Sequence, residues 1–283
     1  MTAVLTVLDP GPLATVQDQG RVGHASSGVP RSGAADRAAL RLGNRLLGNR
    51  EDAAGIEATL GGLVVQMNAP LTVALTGAPG PAEAAGRTVA HGQPVWLEAD
   101  AVLRLGAPAV GLRTYLSVRG GIAVPQMLGS RSTDLLAGIG PAPLSGGDRL
   151  PVGPPGSEPA TAQAASRLPH GELSLRILLG PRDDWFTPAA VALLGSACWR
   201  VSERSDRVGI RLDGPLLERS AGVELPSEGC VRGSIQVSAD GSPILLGPDC
   251  PVTGGYPVIA VVDDADCDLA GQARPGDVLR FRR

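Results

Sequence analysis

Short apolar runs, each closed by glycine, proline or aspartate, recur along most of the chain. Leu63–Met67 (LVVQM), Leu71–Gly77 (LTVALTG) and residues 94–100 (PVWLEAD), 101–106 (AVLRLG) and 113–121 (RTYLSVRGG) are of this kind in the first half. Residues 173–180 (LSLRILLG), 233–247 (GSIQVSADGSPILLG) and 257–266 (PVIAVVDDAD) continue the pattern in the second. Runs of this length with turn residues at both ends predict strands. Ala239-Asp240-Gly241-Ser242 reads as a hairpin turn. Only two segments read as helices. Residues 32–49 place Ala35, Ala39, Leu42 and Leu46 on one face, with Ser32 as the expected N-cap. A second helix starts at Thr187-Pro188, an N-cap followed by proline at the first helical position, and runs to about Leu194.

Residues 152–168 (VGPPGSEPATAQAASRL) have no apolar period and read as a linker or exposed loop. The expected organisation is an N-terminal β lobe over residues 1–153, a linker over 154–170 and a C-terminal β lobe over 171–283. Both lobes finish on a Gly-Asp turn and a short alternating strand, Gly147-Asp148 and Gly276-Asp277, which suggests two related β units. The fold class is therefore mainly β with a few helices.

Composition narrows the chemistry. With 43% hydrophobic but only 2% aromatic residues, the core is expected to be aliphatic, and platforms for stacking bases are scarce. The formal charge is −3, and no segment concentrates positive charge, so nucleic acid is not an expected partner. The opening MTAVLTVLDPGP lacks a basic and an apolar leader region, and no apolar run reaches 18 residues. The expectation is a cytoplasmic chain with no membrane contact. Cys198, Cys230, Cys250 and Cys267 match no zinc spacing and read as reduced thiols, and His24, His91 and His170 stand alone, so no metal is expected.

All 25 basic residues are arginine. Without a lysine the chain cannot build a P-loop, form a Schiff base with pyridoxal phosphate, or itself carry biotin. Arginine remains suited to binding carboxylates and phosphates through paired hydrogen bonds.

Residue chemistry is densest in TVQDQGRVG and in the loop before the first helix, where glycines and polar side chains meet a helix N-terminus. This is also where a family resemblance begins. VLDPGPLATVQDQGRVG, GVPRSGAADRAALRLGNRLLGN, EDAAGIEATLGG, RTYLSVRGGIAVPQMLGSRSTD, SERSDRVGIRLDGP, PSEGCVRGSIQVSADGSPILLGPDCPVTGGYPVIAVV and AGQARPGDVLRF occur in order along nearly the whole chain. Together they resemble the family of 5-oxoprolinase C-type subunits, also called KipA or allophanate hydrolase subunit 2, and the carboxyltransferase-like half of urea amidolyase.

The resemblance implies a cyclophilin-like β-barrel architecture in two lobes. It implies partnership with a related B-type subunit, of the KipI or allophanate hydrolase subunit 1 kind, and with a separate A-type subunit. The activity it implies is ATP-dependent opening of 5-oxoproline, a lactam, to glutamate, with ATP used at the level of the complex. Two alternatives stay open: a carboxyltransferase component of a biotin-dependent urea or amide carboxylase, and a non-enzymatic regulator of a kinase inhibitor.

Residue chemistry and the resemblance together nominate three clusters. Gln17, Asp18 and Arg21 form the first, Ser205, Asp206 and Arg207 the second, and Glu228 with Gln236 the third. Asp18, Arg21, Asp206, Arg207 and Glu228 are the expected catalytic groups; Gln17, Ser205 and Gln236 are expected to bind substrate. Thr253, Gly254, Gly255 and Tyr256 are added as a binding loop, because paired glycines permit close backbone approach. Each cluster also has a reading as a turn-holding ion pair. In QDQGRVG and SDRVGIR an acid stands close to an arginine and a glycine turn, so the first two clusters suggest equivalent walls of a cleft. In the stretch before Thr253 many relatives carry an arginine and a glutamine, where this chain has Cys250, Pro251 and Val252. In GSRSTD, Arg131 and Asp134 read as a loop ion pair, and with no histidine nearby a Ser-His-Asp hydrolase is not expected.

Overall fold

The computed structural model describes residues 3–156, 168, 171–220 and 225–283. Most of the expected linker, 157–167 and 169–170, lies outside the described residues. The chain forms two compact units: Met1–Arg21 with Ser32–Asp134 and Gly138–Leu168, and Val22–Arg31 with Leu135–Ala137 and Pro169–Arg283.

Among its described residues, unit 1 is built on eleven strands. They are β1 (Val4–Pro10), β2 (Leu13–Gln17), β3 (Gly55–Thr59), β4 (Leu63–Met67), β5 (Leu71–Gly77) and β6 (Ala82–Ala84), then β7 (Arg87–Thr88), β8 (Pro94–Leu97), β9 (Val102–Leu105), β10 (Arg113–Val118) and β11 (Arg149–Pro151). One sheet runs β11-β1-β4-β9-β6-β7 and the other β2-β3-β10-β5-β8. Aliphatic side chains such as Leu5, Val16, Ile56, Val65, Leu103 and Leu116 fill the core between them. Strand β10 is buried along its whole length. Its alternation explains why: Leu116 and Val118 join that core, whereas Tyr115 packs with Ala39 and Leu40 of helix α1 (Arg37–Leu46). Gly43 allows the helix to lie against the sheet, since a Cβ there would stand 2.5 Å from Ser117 Oγ.

Helix α1 is shorter than the sequence pattern predicts, and Ser32 is not its N-cap. Ser32 and Gly33 both take left-handed backbone angles, φ +54° and +94°, which cannot start a right-handed helix. The cap is Asp36, whose Oδ1 accepts from Ala39 N at 2.8 Å.

Among its described residues, unit 2 holds nine strands: β12 (Glu172–Leu179), β13 (Trp199–Val201), β14 (Gly209–Asp213), β15 (Glu228–Gly229), β16 (Ser234–Val237), β17 (Pro243–Leu246), β18 (Thr253–Gly254), β19 (Val258–Val262) and β20 (Val278–Arg282). Seven of them close a barrel in the order β12-β19-β16-β17-β14-β13-β20. Leu173, Leu175 and Ile177 of β12 point inward and alternate with exposed Glu172, Ser174 and Arg176. The barrel core is not purely aliphatic, because fully buried Trp199 and Phe281 occupy it, and the Trp199 indole donates to Leu194 O at 3.1 Å. Helix α2 (Pro188–Ser196) starts under the expected Thr187 cap, whose Oγ1 accepts from Ala190 N. The run at 257–266 is only half strand: after β19 the chain turns into helix α3 (Asp264–Ala270), capped by Asp263. Residues 239–242 form the expected turn between antiparallel β16 and β17.

The two Gly-Asp turns share one hydrogen-bond pattern. Gly147 N donates to Val7 O and Val7 N to Asp148 O, each at 2.8 Å, and Ser145 N donates to the Asp148 carboxylate at 2.8 Å. In unit 2, Gly276 N reaches Val201 O at 2.8 Å, Val201 N reaches Asp277 O at 2.9 Å, and Arg274 N reaches the Asp277 carboxylate at 2.8 Å. No helix among the described residues is long and apolar enough to cross a membrane.

Candidate functional site

The polar centre of unit 1 is Asp18, which follows β2. Its carboxylate receives Gly20 N at 2.8 Å, and Ser130 Oγ, Arg131 N and Ser132 Oγ at 2.6 Å each. A carboxylate offers about four acceptor positions, so these donors occupy it. Arg21 donates to Ser132 O, and Gln17 Nε2 donates to Thr133 O at 2.9 Å and to Thr15 Oγ1 at 3.1 Å. Gln17 Oε1 is buried without a hydrogen-bond partner. The GSRSTD loop thus supplies hydroxyl and backbone groups to Gln17, Asp18 and Arg21. Arg131 sends its Nε to Val124 O at 2.7 Å rather than to Asp134. Beside this group, Tyr115 Oη donates to Glu57 Oε2 at 2.7 Å, and that oxygen also accepts Ala35 N at 2.9 Å. Asp36 N donates to Tyr115 Oη, which fixes the start of α1, and Arg113 pairs with Glu57 at 3.3 Å. The buried Tyr115 phenol is pushed well above its ordinary pKa, by burial first and then by the Glu57 charge. This network leaves no trace in the sequence, where Glu57 and Tyr115 sit in ordinary strand patterns.

In unit 2 the Ser205-Asp206-Arg207 cluster does not repeat the geometry around Asp18. Asp206 is exposed, and its Oδ1 accepts Val208 N and Gly209 N at 2.8 and 3.0 Å, a turn-holding role. Ser205 Oγ accepts Arg211 N at 3.1 Å in the same turn. Arg207 is 2% exposed and forms a fork with fully buried Asp249: Nε to Oδ2 at 2.9 Å and Nη2 to Oδ1 at 3.0 Å. The two acids of the similar sequence patterns thus sit differently: Asp18 is buried and receives donors from residues 130–132, whereas Asp206 is exposed and closes its own turn.

The third cluster and the glycine loop do come together. Strands β15 and β18 pair so that Glu228 faces Gly254 and Gly229 faces Thr253. Beneath them Gln236 Nε2 donates to Cys230 Sγ at 3.1 Å and to Tyr256 O at 3.2 Å. A Cβ at Gly254 would lie 2.6 Å from Gln236 Nε2 and 3.0 Å from Cys230 Sγ, so any larger residue would push the Gln236 amide aside. Glu228 is clasped by Arg182, Nε to Oε2 at 3.0 Å and Nη2 to Oε1. That hydrogen bond holds the Glu228 carboxyl below its ordinary pKa, which keeps it ionised at neutral pH. Burial first, then the Glu228 charge, raises the Cys230 thiol, and burial pushes Cys250 up to about 12, so neither is a ready thiolate. Arg182 and Arg219 complete the cluster, with the Arg219 guanidinium 6.0 Å from the Tyr256 ring centroid. Sequence reasoning missed both arginines because they lie 46 and 9 residues before Glu228, with no local motif to link them.

Residues 27–283 match the family described as carboxyltransferase domain, subdomain A and B. The chain belongs to this carboxyltransferase-domain family. Among relatives, the C subunit of 5-oxoprolinase from Escherichia coli K12 is 39% identical over 281 residues, covering 98% of this chain and 90% of that one. The urea amidolyase of Lachancea kluyveri is 34% identical over 97% of this chain, but the match covers only 16% of that protein. Among solved structures, TTHA0988 superposes with a TM-score of 0.90 at 37% identity, covering 100% of this chain and 56% of its own. The Kluyveromyces lactis urea amidolyase gives a TM-score of 0.91 at 29% identity, covering 99% of this chain and 18% of that one. The carboxyltransferase-domain fold is thus found both as most of one polypeptide and as a part of longer proteins.

Proposed function

We propose that this chain is the C subunit of an ATP-dependent 5-oxoprolinase, working with the B and A components to hydrolyse the lactam of 5-oxoproline to glutamate. The observation that carries this reading is the reciprocal coverage of its relatives. The match takes in 90% of a 5-oxoprolinase C subunit but only 16% of a urea amidolyase. Opening a lactam adds water across the C–N bond, freeing an amine and a carboxylate. Negative charge builds on the carbonyl oxygen as water adds, so the site needs hydrogen-bond donors aimed at that oxygen and a route for protons to nitrogen.

The unit 2 cluster has suitable donors. Gln236 gives one of its amide hydrogens to Cys230 Sγ, a weak acceptor, and a substrate carbonyl is a stronger one. Thr253 to Tyr256 brings backbone close to that amide. Glu228, ionised beside Arg182, is an acceptor for a ligand N–H rather than a proton donor. In unit 1, Asp18 acts by holding the loop that sets Ser130 and Ser132 beside Gln17 and Arg21. ATP is used by the complex, and with no lysine in this chain its phosphates would meet arginine or backbone groups here.

A second reading, a carboxyltransferase component acting on urea or a related amide with biotin on another chain, is favoured by the family match and by the urea amidolyase relatives. The test is glutamate formation from 5-oxoproline and ATP by this chain with its B and A partners, each omitted in turn. Turnover requiring all three is expected. A folded, assembled complex without turnover would refute the proposal in favour of the biotin-dependent or regulatory alternatives.

A further inference from the structure

Arg219 carries a charge that the fold positions and that, among the described residues, no carboxylate neutralises. Its backbone is pinned: it bridges Phe186, its neighbour Ser220 donates N–H to Trp185 O at 2.8 Å, and Thr187 N reaches Glu218 O at 3.2 Å. Its Nη2 donates to Val237 O, the residue after Gln236. Its Nε is buried and has no hydrogen-bond partner, and among the described residues no carboxylate pairs with it. Four other arginines of unit 2 each face a carboxylate. Arg176 faces Asp266, Arg182 faces Glu228, Arg207 faces Asp249 and Arg232 faces Asp268. The buried Nε is itself out of a ligand's reach, but the residue is part-exposed, so an anionic ligand can approach the open edge of the guanidinium and supply the missing counter-charge.

We propose that Arg219 binds the carboxylate of an anionic lactam, and so selects a substrate that carries a carboxylate beside its ring amide over a neutral amide. This rests on the functional reading above and deepens it. Arg219 reaches the chain at Val237, and Gln236 one residue earlier offers its amide to the ring carbonyl. Both side chains also meet Tyr256, Arg219 over its ring at 6.0 Å and Gln236 Nε2 at its carbonyl oxygen at 3.2 Å, which gathers the two recognition points around one residue, as suits 5-oxoproline, in which one carbon separates the carboxylate from the ring nitrogen. Tyr256, 44% exposed and beneath the guanidinium, gives the ring an apolar face to lie against. Urea has no carboxylate to meet Arg219, so the residue separates the two enzyme readings by charge.

The experiment is steady-state kinetics of the assembled enzyme containing wild-type, Arg219→Gln or Arg219→Lys chain, with 5-oxoproline and with 2-pyrrolidinone, the same ring without its carboxylate. Arg219→Gln is expected to raise KM for 5-oxoproline about 10- to 100-fold, the range for losing a charged hydrogen bond. kcat should change much less, and the preference for 5-oxoproline over 2-pyrrolidinone should collapse. Arg219→Lys, which keeps the charge but loses the fork, should fall between. If Arg219→Gln fails to fold in a thermal scan, the lysine variant alone decides, by a rise in KM confined to 5-oxoproline. An unchanged KM for 5-oxoproline, or an equal rise for the neutral lactam, would overturn the assignment while leaving the enzyme reading intact. A wild-type complex inactive on 5-oxoproline would remove both.

Discussion

Arg207 and Asp249 allow a quantitative test of whether a conspicuous arginine serves the fold or the reaction. Both are at least 98% removed from solvent, joined by two hydrogen bonds of 2.9 and 3.0 Å, and Asp249 Oδ2 also accepts Leu135 N at 3.1 Å. Replacing Arg207 with alanine strands an anion in the interior, which costs about 3–5 kcal/mol. For a unit of this size that corresponds to a fall of roughly 10–20 °C in its melting temperature. Replacing both partners, Arg207→Met with Asp249→Leu, removes the stranded charge. Most of the loss should return, less about 1–2 kcal/mol for the orphaned Leu135 N–H. The assay is urea unfolding of the full chain in a Trp96→Phe, Trp185→Phe background, followed through Trp199 fluorescence, since that indole sits in the barrel core. A single-variant loss below about 1 kcal/mol, or a double variant no better than the single, would refute the structural reading. If both variants fold yet the assembled enzyme is inactive with either, Arg207 has a role in the reaction as well.

Three further outcomes follow from the same geometry. Gly254→Ala should lower activity of the complex at least about 10-fold by pushing the Gln236 amide aside, yet cost the chain less than about 1 kcal/mol, since the displaced atoms end side chains; Gly255→Ala, whose Cβ meets nothing nearer than Leu225 O at 3.7 Å, should be tolerated. Kinetics and thermal melts of the pair decide it. The Glu228 carboxyl, followed by NMR, should titrate below its ordinary 4.5 and return towards it in Arg182→Gln. Since the folded value is the depressed one, the stabilisation is present above the unfolded pKa and is lost as pH falls through the folded value. Alkylation at neutral pH, read by mass spectrometry, should modify exposed Cys198 first and buried Cys250 only on unfolding.

Much of the β framework was legible in the sequence because period-2 burial leaves a direct trace: Leu173, Leu175 and Ile177 alternate with polar residues, and the turn at 239–242 uses glycine and aspartate. The start of α1 was misplaced because Ser32 and Asp36 are both good caps, and only the backbone at Ser32 and Gly33 tells them apart. Helix α3 was hidden by its acidic first turn, which reads as the polar end of a strand. The candidate site was partly legible. Glu228, Gln236 and Thr253 to Tyr256 were nominated separately, and pairing of β15 with β18 brings them together. Arg182 and Arg219 were not, because their relation to the cluster exists only in three dimensions. The likeness of QDQGRVG to SDRVGIR misled for the same reason: similar letters serve a buried hub at Asp18 and an exposed turn at Asp206.

The recurrence of one clasp in both units gives the protein a matched pair of internal clocks. Gly147 and Gly276 occupy the same chemical setting, each giving its amide proton to a valine carbonyl 2.8 Å away and followed by an aspartate that closes the turn. Once their intrinsic rates are corrected for the different preceding residues, Gly146 and Pro275, the remaining difference in how fast they trade hydrogen for deuterium measures how often each unit opens. Comparing the two amides in the isolated chain and after assembly would show which of the two units is steadied by its binding partners.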